Sequence, residues 1–205
     1  TFESPAGNGV YATLLIKKKG ISAVCLTALT PLAAVCATEA VEEMTGYGQR
    51  LSVKWVNDLM LDGKKYGGIL AAAEIFGTEG EIDFVRIGYG INTGNIDLTE
   101  RIGIPVGTLG LTSPESTRKL AVDVARRICE NMDKMKIDEL LGAYSSLCRM
   151  EGKKVVLPDG RIWNFYEWAA GLDGRPQKLW PADCKADFVQ EDSGKWVAAP
   201  LNAYF

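Results

Sequence analysis

The chain has 205 residues, 47% hydrophobic and 24% charged, a balance that gives a folded protein with a real core and excludes the charge-rich composition of disorder. At ~100 to 200 residues per domain, it can hold one ordinary domain plus a small appendage and no large multidomain machine. The net charge of −3 offers no global basic field for nucleic acid or an anionic membrane, so any phosphate binding must come from a local site.

Val10 to Ile16 is predicted as a strand, entered from the turn-rich Ser4-Pro5-Ala6-Gly7-Asn8-Gly9 segment and ended by Lys17-Lys18-Lys19-Gly20. Ala23 to Met44 is predicted as a core-facing helix, with Thr30-Pro31 as a cap and first-turn proline and Gly46 as its stop. Leu51 to Trp55 follows as a short strand, with a hairpin turn at Asp62-Gly63 and another strand from Gly68 to Ala73. Phe84 to Ile91 is continuous and apolar, as a central strand would be.

Ser113-Pro114-Glu115 starts a helix with a capping hydroxyl, a first-position proline and an acid at the positive end of the dipole. Leu120, Val124, Ile128, Met132 and Met135 then recur along one helical stripe, and a second helix runs from Ile137 to Arg149, with Gly152 beyond it. From Lys153 onward, turns at Pro158-Asp159-Gly160, Asp173-Gly174 and Asp192-Ser193-Gly194 separate short β-prone stretches. Trp163, Trp168, Trp180 and Trp196 concentrate there, as a mini-domain short of core volume requires. The predicted organisation is thus a domain at 1–150 and a small β-rich domain at 151–205.

Histidine is absent, which excludes Ser-His-Asp and Cys-His devices, His-ligated metals and an imidazole general base. The five cysteines, at 25, 36, 129, 148 and 184, form neither a Cys-x-x-Cys zinc pattern nor a secreted disulfide framework, so a reducing cytoplasmic setting is expected. No apolar run reaches the ~20 residues of a membrane helix.

The most informative stretch is Lys54-Trp55-Val56-Asn57-Asp58 followed by Lys64-Lys65-Tyr66-Gly67-Gly68-Ile69-Leu70. A strand delivers an amide and a carboxylate, a hairpin turns, and a lysine with two glycines returns on the next strand. An ammonium can neutralise a carboxylate or phosphate, an Asp-Asn pair can hold Mg²⁺ or orient an amine, and glycines let a ligand press on the backbone. On spacing alone, a solvated charged hairpin explains the same residues equally well.

This run resembles the signature of biotin protein ligases, in which Lys-Trp-Pro/Val-Asn-Asp precedes Lys-x-x-Gly-Ile-Leu. Phe2 to Lys17 and Ile87-Gly88-Tyr89-Gly90-Ile91-Asn92 are similar to two further strands of that family, in matching order over residues 2–150. The resemblance implies an α+β, class II synthetase-like catalytic domain with a mixed sheet backed by helices, plus a C-terminal SH3-like β-domain.

It also implies a two-stage, ATP-dependent ligase reaction. Biotin is activated as biotinyl-5′-AMP and then transferred to a lysine of a biotin carboxyl carrier protein or domain. By resemblance, Lys65 contacts the biotin carboxyl and the α-phosphate, and Asn57 and Asp58 stand at the phosphate and Mg²⁺ end. Asp58 is also placed to orient the incoming amine. Asn92 lies near the adenine, and Gly68, Leu70 and Gly88 pack on biotin. Trp55 either borders the nucleotide or is a buried strand tryptophan.

ATP, Mg²⁺ and biotin are thus the expected cofactors and substrates. No membrane partner is expected, a homodimer is allowed, and nucleic acid enters only if a DNA-binding region lies upstream of Thr1. Two departures stand out. The family's Gly-Arg-Gly-Arg-x-Gly-Arg loop is not found before Phe2, so the catalytic domain is expected to be N-terminally truncated. The tryptophan-rich tail also differs from family tails. Alternatives are a noncatalytic biotin- or adenylate-binding relative, and a lipoate ligase.

Overall fold

The computed structural model describes residues 7–17, 23–75, 82–94, 106–134 and 136–148, with the backbone of six short strands between residues 154 and 198. The chain divides into two compact units, Thr1–Arg149 and Met150–Phe205. The first contains β1 (Gly9–Lys17), α1 (Ala23–Thr45), β2 (Leu51–Lys54), β3 (Asp58–Leu61), β4 (Lys64–Ile75), β5 (Ile82–Asn92), α2 (Pro114–Asn131) and α3 (Ile137–Leu147).

Its five strands form one sheet in the order β1-β5-β4-β3-β2. Every neighbouring pair runs antiparallel, and the parallel element that a mixed sheet requires is, among the described residues, a single bridge between Lys65 and Val106. β5 is interior as its apolar run suggested, although β4 is the middle strand. The β3–β4 hairpin turns on Asp62 and Gly63, both at positive φ (50° and 75°), the backbone twist that a two-residue hairpin loop needs.

Strand alternation sends one set of side chains to each face of the sheet. Val10, Leu51, Val53, Leu59, Leu61, Ile69, Val85, Ile87, Tyr89 and Ile91 are all buried and make one apolar face. α1 packs against β4 and against both other helices, and α2 also reaches β1. The small residues Ala33, Ala34, Ala37 and Ala40 bring α1 close, and at most 1% of each is exposed.

α1 begins at Ala23, as expected, but the cap and first-turn role given to Thr30-Pro31 is corrected, because Pro31 lies inside the helix. A proline within a helix loses one backbone hydrogen bond. Here the apolar run on both sides of Pro31 packs into the core and outweighs that loss. Gly46, at φ 66°, ends the helix by donating its amide to the Glu42 carbonyl at 2.8 Å.

α2 is capped by Ser113, whose hydroxyl accepts from the Ser116 amide at 3.5 Å, with Pro114 in the first turn. Leu120, Val124 and Ile128 are its buried stripe, whereas Met135 lies outside the described residues. α3 ends at Leu147, two residues short of the predicted Arg149, and buries Leu140 and Tyr144.

The second unit shows three separate antiparallel hairpins: β6 (Lys154–Val156) with β7 (Ile162–Asn164), β8 (Trp168–Ala170) with β9 (Pro176–Lys178), and β10 (Phe188–Gln190) with β11 (Trp196–Ala198). The three predicted turns fall between the paired strands, and they and Trp180 lie outside the described residues. The described pairings are three two-stranded sheets, and most of the region expected to be SH3-like lies outside the described residues.

Candidate active site

The face of the sheet opposite the helices is open, and its strand register arranges it in rows. One row crosses all five strands: Lys54 pairs with Asp58, Asp58 with Gly68, Gly68 with Gly90, and Gly90 with Tyr11. The next is Leu70, Gly88 and Thr13, and beyond it lie Ala72, Arg86 and Leu15. Three glycines, Gly68, Gly88 and Gly90, therefore leave bare backbone as a floor between charged side chains at one end and Tyr11, Thr13 and Leu70 along the sides.

The floor belongs to a groove of ≈ 440 Å³ lined by Tyr11, Thr13, Asn57, Lys65, Gly68, Leu70, Gly88 and Gly90 among others. Leu70 is 73% exposed and Tyr11 50%, so both present apolar surface to the groove rather than to the core. A side chain at Gly68 would project toward the Lys65 ammonium, 3.7 Å from its Nζ. At Gly88 it would stand 3.8 Å from the Thr13 hydroxyl. A ligand lying on this floor thus touches backbone that any larger residue would cover.

Lys65 and Asp58 form an ion pair at the head of the groove, both partly exposed. Lys54 sits beside them, and its pKa is lowered by burial and further by the Lys65 ammonium, against the opposing pull of Asp58. Two ammonium groups thus flank one carboxylate, a locally positive cluster in an acidic protein. Lys54 was not singled out from sequence; the register that puts it opposite Asp58 brings it into the site.

Asn57 holds the turn between β2 and β3 onto β4. Its Nδ2 donates to the Ile69 carbonyl at 2.9 Å, and its own carbonyl accepts from the Ile69 amide at 2.9 Å. Because Nδ2 is committed to a carbonyl, the amide orientation is fixed and Oδ1 is the atom left to meet a ligand. α3 braces the same turn, with the Tyr144 hydroxyl donating to the Val56 carbonyl at 3.0 Å.

Trp55 packs edge-on against Tyr144, with ring centroids 5.9 Å apart, and does not line the groove. It is partly buried and lies in the turn after β2 rather than on the strand. Asn92, expected near adenine, is only 3% exposed and donates from Nδ2 to the Gly107 carbonyl at 3.2 Å. Its Oδ1 is buried without a hydrogen-bond partner. Lys65, Asn57, Gly68, Leu70 and Gly88 line one groove, with Asp58 paired to Lys65 at its head, while Trp55 and Asn92 are not among its lining residues.

Residues 1–92 match the family model described as the biotin/lipoate A/B protein ligase family. The chain is 27% identical over 179 residues to the bifunctional ligase/repressor BirA of Bacillus subtilis, covering 87% of this chain and 50% of that protein. Over 88 residues it is 35% identical to a biotin–[acetyl-CoA-carboxylase] ligase of Paracoccus denitrificans, covering 43% of this chain and 35% of that protein. It spans half the length of the Bacillus relative, or less of the Paracoccus one.

The biotin protein ligase of Aquifex aeolicus in its apo form superposes with a TM-score of 0.61 at 23% identity, over 94% of this chain and 80% of that one. Its complex with biotin and ATP gives 0.58 at 22% identity, over 94% and 76%. Residues 1–92 are thus similar to the biotin/lipoate A/B protein ligase family, and the chain shares the fold of biotin protein ligase structures.

Proposed function

We propose that the chain carries the catalytic groove of an ATP-dependent ligase that activates biotin as biotinyl-5′-AMP and passes it to a lysine of a biotin carboxyl carrier domain. The observation that carries this reading is the Lys65–Asp58 pair standing at the head of a three-glycine floor. The matched ligase family and the Aquifex ligase bound to biotin and ATP support it.

Joining biotin to AMP requires two anions, a carboxylate and a phosphate, to approach each other, and their repulsion is much of the barrier. The Lys65 ammonium lies where it can offset that repulsion and steady charge developing at phosphorus. Lys54 adds a second positive charge to the same cluster. The apolar part of biotin would rest on Gly68 and Gly88 against Leu70, with Thr13 as a polar group at the side.

In the second stage the acceptor amine, with an ordinary pKa near ~10.4, must shed a proton before it attacks, and the Asp58 carboxylate is the acid–base group beside the reacting end. A Mg²⁺ ion fits here as a companion of ATP. The described residues hold no cluster of three or more acidic or thiol ligands, and Mg²⁺ commonly uses one or two protein oxygens plus phosphates. Asp58 and Asn57 Oδ1 would hold it, and it would supply neutralising charge for the phosphate chain.

The test incubates the purified chain with biotin, MgATP and a biotin carboxyl carrier domain. A parallel version carries a Gly-Arg-Gly-Arg-x-Gly-Arg segment fused upstream. Biotinyl-5′-AMP and biotinylated carrier are expected once that loop is present. Lipoylation in its place, or binding of biotinyl-5′-AMP with no turnover after the loop is supplied, would refute the reading.

A further inference from the structure

Strand alternation alone would bury Lys65. On β4, Gly68 and Leu70 face the groove while Gly67 and Ile69 face the helices. Lys65 shares the parity of Gly67, and Tyr66 that of Gly68. The observed arrangement is reversed: Lys65 lines the groove and Tyr66 is 0% exposed.

The cause is a register shift. Leu59 pairs with Gly67, but the next residue of β3, Met60, pairs with Lys65, so Tyr66 is an extra residue bulged out of the β3–β4 ladder. A bulge of one residue inverts the inside–outside pattern of everything before it on the strand. We infer that Tyr66 is a positioning residue, an anchor whose buried ring holds this bulge and thereby turns Lys65 into the groove. The inference rests on the role given to Lys65 above.

Two further contacts support it. The Tyr66 ring is sunk in the core with none of its surface exposed, its hydroxyl directed toward Thr38 of α1, whose own hydroxyl donates to the Ala34 carbonyl at 2.8 Å. The fully buried ring is the part of Tyr66 that fills this position. On the edge of the bulge, the Gly107 amide donates to the Lys65 carbonyl at 2.8 Å, and Val106 bridges Lys65. A side chain at Gly107 would collide with the Lys64 carbonyl, 2.9 Å from its Cβ, so only glycine allows this strap to lie against the bulge.

The test uses the full chain carrying Lys65→Cys, labelled with a negatively charged thiosulfonate and read peptide by peptide. The introduced thiol is expected to react rapidly, and equally rapidly with Tyr66→Phe added. Deleting Tyr66 is expected to slow it at least tenfold while buried Cys36 stays protected; unchanged labelling with Cys36 protected would overturn the inference. If the deletion also exposes Cys36, the chain has unfolded, and Tyr66→Ala decides instead. Labelling slowed threefold or more supports the anchor, and unchanged labelling refutes it.

In the loop-bearing enzyme with Lys65 retained, Tyr66→Ala should lower kcat for adenylation more than it raises KM for biotin, with Tyr66→Phe restoring both. A parent enzyme that forms no adenylate would sink the functional reading and leave the labelling result to decide the positioning role alone.

Discussion

Adjacent glycines on β4 should fail in opposite ways. At Gly67 a Cβ would lie 2.7 Å from the Gly90 carbonyl oxygen and 3.1 Å from Leu59 Cδ1. The first of these is backbone of the neighbouring strand, so it cannot rotate away. Relieving it means prising β4 from β5 by several tenths of an ångström at the centre of the sheet. Overpacking of that kind costs about 2 kcal/mol, which for a chain of this size lowers Tm by roughly 4 to 8 °C.

At Gly68 the nearest atoms are Lys65 Cε at 3.6 Å, its Nζ at 3.7 Å and the Asn57 carbonyl at 3.8 Å, all ordinary contacts. Gly68→Ala should therefore leave stability within about 0.5 kcal/mol. It would, however, place a methyl group on the groove floor where the ligand must sit. A tenfold or greater loss of biotinyl-5′-AMP affinity follows, equivalent to about 1.4 kcal/mol or more. Thermal unfolding of both variants, with calorimetric titration of biotinyl-5′-AMP into the loop-bearing protein, separates the two effects. Equal loss of Tm in both, or undiminished affinity in Gly68→Ala, would defeat the assignment of this face.

Lys65→Ala should cut the adenylation rate roughly 100-fold, the scale of losing one preorganised charge at the transition state, whereas Lys64→Ala, exposed at the hairpin, should change it less than twofold. Similar modest losses in an ATP–pyrophosphate exchange assay would remove Lys65 from its role. Tyr144→Phe withdraws the donor from the Val56 carbonyl and should cost about 1 kcal/mol, read as a Tm drop of roughly 2 to 4 °C.

Burial pushes the Cys36 thiol from the ordinary 9.0 up to about 12, and the Tyr89 phenol from 10.0 also to about 12. Between those values the unfolded chain has released protons that the folded one still holds, so stability should fall as pH rises from 9 toward 12. Urea midpoints at pH 8 and 10.5 check this, and an unchanged midpoint would contradict it.

Much of the fold could be read from residue order because local signals and tertiary demands agree. Asp62-Gly63 permits one tight turn, Ser113-Pro114 one helix start, and Leu120, Val124 and Ile128 one buried stripe. The exception is Pro31, which looked like a first-turn proline but lies inside α1, where the core packed around the helix overrides the local signal. Within the site, the chemistry of Lys65 and Asp58 was visible, but the geometry was not. Lys54 reaches the cluster only through cross-strand register, and a bulge is invisible to a strict two-residue period. The roles of Trp55 and Asn92 rest on resemblance alone, and residue order gives no sign that Trp55 packs on Tyr144 or that Asn92 donates to the Gly107 carbonyl.

The double attachment of Asn57 to Ile69 has an evolutionary corollary. Aspartate in its place would lose the donor and set a carboxylate against the Ile69 carbonyl, while alanine would keep only the main-chain half of the attachment. Selection for folding alone would then keep asparagine here, even in a descendant that had stopped catalysing anything. Among diverging copies, retention of Asn57 would be a poor witness to activity. Erosion of Lys65, or of Gly68 and Gly88, where no side chain is tied to the backbone as that of Asn57 is, would be the earlier mark of a groove that had lost its substrate.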